Sequence, residues 1–317
     1  MDPLTRILGL SAMTFLSFAT LAQSPGRPLK IVMPFAAGGA SDAVARVVAP
    51  ALAARIGAPV VVENQPGAQG AIAGQAVAAA PADGHTILYA VSATAALPVV
   101  TRTPYDMARD FTPVSTMGTY EFGMFVSARL PVKTVREFVA YAKARPGTLN
   151  YATLNVGEQY AAARFMQATG IRMTRVPYRT LAQIVPDMAG GEVHVNFGPV
   201  VNGIAFAKDG RTHILATLGR ARSALLPDVP TMGEAGFPEV EFESVQMLFV
   251  PSRTPPGVVE RLSREVNAVL EEPGVRARLE KLSLRVQGSS PAALHQAQLA
   301  ADAAWSRLAQ EYPLGGE

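Results

Sequence analysis

The 317-residue sequence contains no cysteine. Disulfides, thiolate metal sites and cysteine nucleophiles are excluded together. A chain without thiols also tolerates an oxidising compartment without mispairing. Charge is scarce: 17% of residues are Asp, Glu, Lys or Arg, and the formal net charge is +3. Lys and Arg are scattered, with no basic run of the kind that grips a phosphate backbone, which argues against nucleic-acid binding. The four histidines, His85, His194, His213 and His295, have no metal-ligand spacing. No Gly-x-Ser-x-Gly elbow occurs, and no serine has an evident histidine partner. The sequence therefore calls for no metal, no cofactor and no catalytic residue. Long apolar runs are missing too, apart from residues 7–21. That run follows Arg6, is diluted by Ser11, Thr14, Ser17 and Thr20, and ends in Thr20-Leu21-Ala22. It falls short of the roughly 20 apolar residues a membrane span needs. It reads as a secretory signal, residues 1–22, cleaved after Ala22.

Hydrophobic residues, by contrast, make up 49% of the chain, and its 27 glycines and 25 prolines are spread evenly. That composition supports a large packed core, and the length allows two lobes. The expected elements alternate between strand and helix. Strand 29–33 ends at Pro34, and a small-residue loop leads into a helix with Val44, Val47, Val48, Ala51, Leu52 and Ile56 at helical spacing. Ser41 or Asp42 is the expected cap, Gly57 the expected end, and Val60-Val61-Val62 the next strand. Further strands are expected at 85–91, 150–153, 173–176, 193–197, 213–217, 241–250 and 284–287. A capping box, Thr134 with Glu137, opens a helix in the middle of the chain, and helices are expected at 256–270 and 291–311. Such alternation indicates an α/β fold with parallel sheets. Two runs of βα units and a late return strand predict a doubly wound sheet in each of two lobes. The expected boundaries are 27–124 with 247–317 for lobe one and 125–246 for lobe two. A cleft between such lobes is the expected ligand site.

Three loops lie where ligands of open α/β sheets bind, beyond the carboxyl ends of strands and at helix N-termini. The loop Pro34-Phe35-Ala36-Ala37-Gly38-Gly39-Ala40-Ser41-Asp42 reads equally as an anion cradle or as an ordinary tight turn with Asp42 as a structural cap. Thr153-Leu154-Asn155-Val156-Gly157 and Pro177-Tyr178-Arg179-Thr180 have the same placement. Arg179 can pair with an anion or stand as a solvated cation. Gly67, Gly70 and Gly74 lack the dinucleotide spacing and read as a structural turn.

Together the segments resemble the tripartite tricarboxylate transporter substrate-binding proteins, the Bug-type receptors. The resemblance rests on residues 34–42 with Ala45-Arg46, on Glu63-Asn64-Gln65-Pro66-Gly67-Ala68-Gln69-Gly70, and on Ala82-Asp83-Gly84-His85-Thr86. Val176-Pro177-Tyr178-Arg179 and Leu226-Pro227-Asp228-Val229-Pro230-Thr231 complete it. It implies a periplasmic, two-lobed receptor of the Venus flytrap type that binds a carboxylate and delivers it to a membrane transporter. Such a receptor is not an enzyme, and a monomer is expected. An extracytoplasmic sensor in the same fold, or an exported enzyme, are the alternatives. Carried over residue by residue, the ligand contacts would be Phe35, Ala37, Gly38, Gly39, Ser41 and Asp42, then Pro66, Gly67, Ala68 and Ser92. In the second lobe they would be Thr153, Asn155, Val156, Gly157, Tyr178, Arg179 and Thr180. The sequence departs from the family pattern at 154–160, at Thr180, and at Gly198, where the family often has aspartate. Glu158 places an acid at a helix end expected to hold a carboxylate. That charge predicts a preference for mono-anions over dicarboxylates.

Overall fold

A computed structural model describes residues 26–312 and Leu314, and the signal reading of residues 1–22 lies outside the described residues. The first unit is built as its apolar pattern requires. Strand β1 (Leu29–Met33) leads to helix α1 (Ala40–Ile56), which returns to β2 (Val60–Asn64), parallel to β1. Val44, Val48 and Leu52 are fully buried beneath the sheet. Gly57 closes α1 in the left-handed conformation at φ 71°, which costs glycine least. Helix α2 (Ala71–Ala78) and strand β3 (Thr86–Val91) follow, with β3 parallel to β1 on its other side. Three single-turn helices, α3 (Ser92–Ala95), α4 (Leu97–Val100) and α5 (Met107–Asp110), lead into the 17-residue strand β4 (Phe111–Ser127).

The second series runs α6 (Val135–Lys143), β5 (Asn150–Thr153), α7 (Val156–Thr169), β6 (Thr174–Pro177), α8 (Leu181–Gly190), β7 (Val195–Pro199), α9 (Val200–Lys208) and β8 (Thr212–Thr217). Strand β9 (Glu243–Pro251), helices α10 (Pro256–Glu271) and α11 (Pro273–Lys281), strand β10 (Leu284–Val286) and helix α12 (Pro291–Glu311) end the fold. The strand path is β2-β1-β3-β9-β4-β7-β5-β6, with β8 and β10 also on β4. Between Phe111 and Glu121, β4 pairs antiparallel with β9; from Phe122 to Ser127 it pairs with β7 and β8. One strand thus belongs to both lobes, and β9, opposite its first half, carries the chain back. Phe138, Phe165 and Phe197 fill the second lobe, with the rings of Phe165 and Phe197 5.3 Å apart. The chain's single tryptophan, Trp305 on α12, stacks on Tyr160 of α7 with ring centroids 4.0 Å apart. Among the described residues no helix is long and apolar enough to cross a membrane.

The expected elements recur with boundaries shifted by a few residues, and the return strand ends one residue later than read. The first half of β4 was not expected. Pro113, Gly118 and Gly123 interrupt its alternation, and its register slips at Pro113/Ser115 and Thr116/Gly118. Such bulges absorb residues that a regular ladder rejects. The expected cap of α1 also needs correcting. The N-cap is Gly39, without a side-chain bond, and the Asp42 carboxylate reaches back to the Gly38 amide instead. At α6, Thr134 accepts from the Glu137 amide, while the Glu137 carboxylate accepts from Lys133, one residue earlier than a capping box requires.

Gly118 has a φ of 144°, and a methyl built on it would collide with the backbone oxygen of Arg285 in β10. Gly118→Ala is expected to cost about 1–3 kcal/mol. Urea unfolding of the variant beside the parent checks this; an unchanged midpoint would show that the bulge relaxes freely.

Candidate functional site

A cleft of about 600 Å³ lies between the lobes. Its lining includes Tyr120 and Phe122 from β4, and Phe242, Ser244 and Gln246 from the start of β9 and the residue before it. Phe122 and Phe242 meet edge to face at 4.9 Å. Gln246, only 1% exposed, is held in place by its neighbours. Its Oε1 accepts from Ser41 Oγ at 3.0 Å and from the Tyr89 hydroxyl at 2.9 Å, and its Nε2 donates to the Ser244 carbonyl.

The first-lobe wall is the β1–α1 loop, and Asp42 fixes its shape. Asp42 is 2% exposed. Its Oδ2 accepts from the Gly38 amide at 2.9 Å and from Arg46 Nε at 2.8 Å. Its Oδ1 accepts from Arg46 Nη2 and from Asn64 Nδ2 at 2.9 Å. Asn64 Nδ2 also donates to the Phe35 carbonyl, which ties both ends of the loop to β2. The Arg46 fork, with the Gly38 and Asn64 bonds, holds the Asp42 carboxyl down at about 2 against the cost of burial. With Asp42 behind the loop, Gly38, Gly39, Ala40 and Ser41 face the cleft, and no side chain caps α1. An uncapped helix end presents unpaired N–H groups and a positive dipole end to whatever occupies the cleft.

The second-lobe wall is different. Asn155 Oδ1 caps α7 by accepting from the amides of Gly157 and Glu158. Gln183 Oε1 accepts from the amides of Arg179 and Thr180 at the start of α8. Asn155 thus caps the start of α7 and Gln183 holds the two amides that precede α8, and this wall brings Arg179, Thr180, and Asn202 of α9 to the cleft. Arg179 is the only charged residue among the described residues lining the cleft.

Of the residues singled out from sequence, Phe35, Ala37, Gly38, Gly39, Ser41, Gly67, Asn155, Val156, Gly157, Arg179 and Thr180 line this cleft. Asp42 lies behind it. Pro66 and Ala68 are exposed beside Gly67, which has a φ of 131°. Thr153 is buried, and the Tyr178 hydroxyl is held by Asp187 at 2.6 Å. The Ser92 hydroxyl accepts from the Val245 amide and borders a separate cavity beside Trp305. Glu158 and Gly198 border a small cavity behind the second-lobe wall. Glu158 is 2% exposed, and burial pushes its carboxyl up to about 8. It therefore puts no negative charge at the cleft near neutral pH, and the expected preference for mono-anions loses its physical basis. The sequence reading nominated nothing from β4 or β9. Tyr120, Phe122, Phe242, Ser244 and Gln246 carry no such signal, although the expected lobe boundaries at 124/125 and 246/247 fall close to them.

The Asp42 clamp has a definite acid signature. A carboxyl held below its ordinary value of 3.8 adds stability that is complete above that value and lost as pH falls towards 2. Asp42→Asn should lower stability at pH 7 by roughly 1.5–3 kcal/mol, the usual worth of hydrogen bonds to a charged group. It should also flatten the fall in Tm between about pH 4 and pH 2. Melting curves across that range check both effects, and a parallel acid decline in the variant would count against the clamp.

Comparison with known proteins agrees with this architecture. The model of the tripartite tricarboxylate transporter family receptors matches residues 44–313. BugT of Bordetella pertussis is 32% identical over 256 residues, covering 79% of this chain and 78% of BugT. Among solved structures, Rpa4515 of R. palustris, determined with adipate, superposes with a TM-score of 0.82 at 31% identity, covering 92% of this chain and 99% of that one. MatC of Rhodopseudomonas palustris, determined with malate, superposes with a TM-score of 0.77 at 28% identity, covering 90% and 99% of the two chains. With the family model matching most of the chain, from α1 to the end of α12, the chain belongs to the tripartite tricarboxylate transporter receptor family.

Proposed function

We propose that this protein is a periplasmic solute-binding receptor that closes its lobes on a small organic acid and hands it unchanged to a tripartite tricarboxylate-type membrane transporter. One observation carries the reading. Among the described residues the cleft has no acidic side chain and one cation, Arg179, and it also receives the uncapped N-terminus of α1. Both features favour an anion, and they come from different lobes. One carboxylate is held by the first-lobe loop at Gly39, Ala40 and Ser41, with room for bridging water. Arg179 and Thr180 take the far end of the ligand. Relatives solved with adipate and malate support a dicarboxylate of similar size.

The lobe division at 27–124, 125–246 and 247–317 places the hinge in β4 and β9. A ligand bridging both walls binds the closed form better than the open one, and that difference drives closure. The mature receptor, released after Ala22, works as a monomer and docks on the membrane components when closed. The cleft residues hold a ligand without altering it.

The mature protein, residues 23–317, is the material for the test. Adipate or malate at about 100 times its Kd should stabilise it by roughly 2.7 kcal/mol, a clear rise in Tm. Chromatography after incubation should return the acid intact, whereas a new product would replace the receptor reading with an enzymatic one. A panel of organic acids that shifts neither Tm nor Trp305 fluorescence would also overturn it. Arg179→Gln removes a charge-assisted bond and should weaken binding about 10- to 100-fold by calorimetry, with an unchanged Tm in the absence of ligand.

A further inference from the structure

The cavity behind the second-lobe wall is separated from the cleft by three residues that border both, Leu181, Pro199 and Asn202. Among the described residues around it Glu158 is the one that ionises, and the rest of that border is apolar or amide and hydroxyl in character. Glu158 Oε2 accepts from the Leu154 amide at 2.7 Å and from Asn196 Nδ2 at 3.2 Å. Asn196 is itself fixed by donating to the Ala152 carbonyl at 3.2 Å. Leu154 opens the stretch of four residues, 154–157, that faces the cleft. Through one bond, the carboxyl therefore sets where that stretch begins.

With both N–H donors on Oε2, the proton of the neutral acid belongs on Oε1, on the side of Gly198. A Cβ at position 198 would stand 2.8 Å from Asn196 Oδ1 and in ordinary contact, 3.5 Å, with Glu158 Oε1, so glycine there leaves space for Asn196, the side chain that holds the acid. From β4, β7, α8, α9 and β8 the groups around this cavity are Phe125, Asn196, Leu181, Ile184, Asn202 and Thr212, with no Asp, Glu, His, Lys or Arg among them. Arg179, at the start of α8, lies on the cleft side of the wall. An ionised Glu158 would thus meet no cation in its own chamber.

We propose that Glu158 is a proton-controlled positioning residue: it anchors the 154–157 wall through Leu154, leaves carboxylate capture unopposed while neutral, and weakens that capture once ionised. This rests on the carboxylate-receptor reading above. Burial sets the working range by pushing the carboxyl up to about 8 from an ordinary 4.5. Because the folded value lies above the unfolded one, the acid's stabilising effect is complete at low pH and is lost as pH rises through about 8. A unit charge acting on an anion through about 10 Å of protein interior changes affinity roughly tenfold.

The test measures adipate affinity by calorimetry at pH 6.5 and pH 9 for the parent protein and for Glu158→Gln, which keeps the Leu154 bond but cannot ionise. The parent should bind about tenfold more weakly at the higher pH, while Glu158→Gln should bind alike at both. Binding by the parent that does not change with pH would overturn this proposal alone, and so would an equal loss in both proteins. Should adipate not bind, the affinities are measured with whichever acid of the panel does, and a panel in which no acid binds either protein at either pH would overturn the receptor reading and this proposal with it. Should Glu158→Gln fold poorly, carbon NMR of the parent's glutamate carboxyls decides: one must titrate near pH 8, and titration of all of them near 4.5 would overturn the proposal.

Discussion

The site depends on where the Asp42 carboxylate points. An acid in the first turn of α1 would ordinarily face the dipole end from outside, where it would compete with an anionic ligand. Here it folds under the loop and takes four donors, from Gly38, Arg46 and Asn64. The acid thereby shapes the loop instead of occupying it. The loop needs no disulfide or metal, because Arg46 lies one helical turn away and Asn64 closes the adjacent strand. The backbone of residues 38–41 is left facing the cleft.

The two walls then do different work for a physical reason. In the first lobe the helix end is uncapped and its backbone groups are available. In the second, Asn155 caps α7 and Gln183 holds the amides before α8, and the wall presents Arg179, Thr180 and Asn202 to the cleft. A flexible guanidinium at Arg179 can adapt to ligands of different length, whereas a backbone cradle cannot. A fixed end facing an adjustable end suits a fold whose relatives hold acids as different as malate and adipate.

Much of this was legible in the residues. The β1–α1–β2 unit announces itself through the spacing of Val44, Val48 and Leu52 and the β-branched run at 60–62, and the loops after β1, β5 and β6 follow from it. The first half of β4 was not legible, because Pro113 and Gly118 read as breaks when they are bulges in a long pairing with β9. That omission hid Tyr120, whereas Gln246 lies on a strand the sequence does announce but carries no helix-start or turn signature to mark it as a cleft residue. The orientation of Glu158 was equally out of reach. Spacing places it in the first turn of α7, but only the neighbouring β7 decides that it turns inward and is neutral.

Glu158 and Gly198 are forty residues apart in the chain, yet they border one chamber. A side chain at 198 presses first on Asn196 and, as it lengthens, on Glu158. Asn196 cannot yield without releasing the Ala152 carbonyl and the Glu158 carboxyl together. Crowding at 198 would thus reach the acid through Asn196, the side chain that holds it. The lining of the second-lobe wall is in this way tied to a position that does not itself border the cleft.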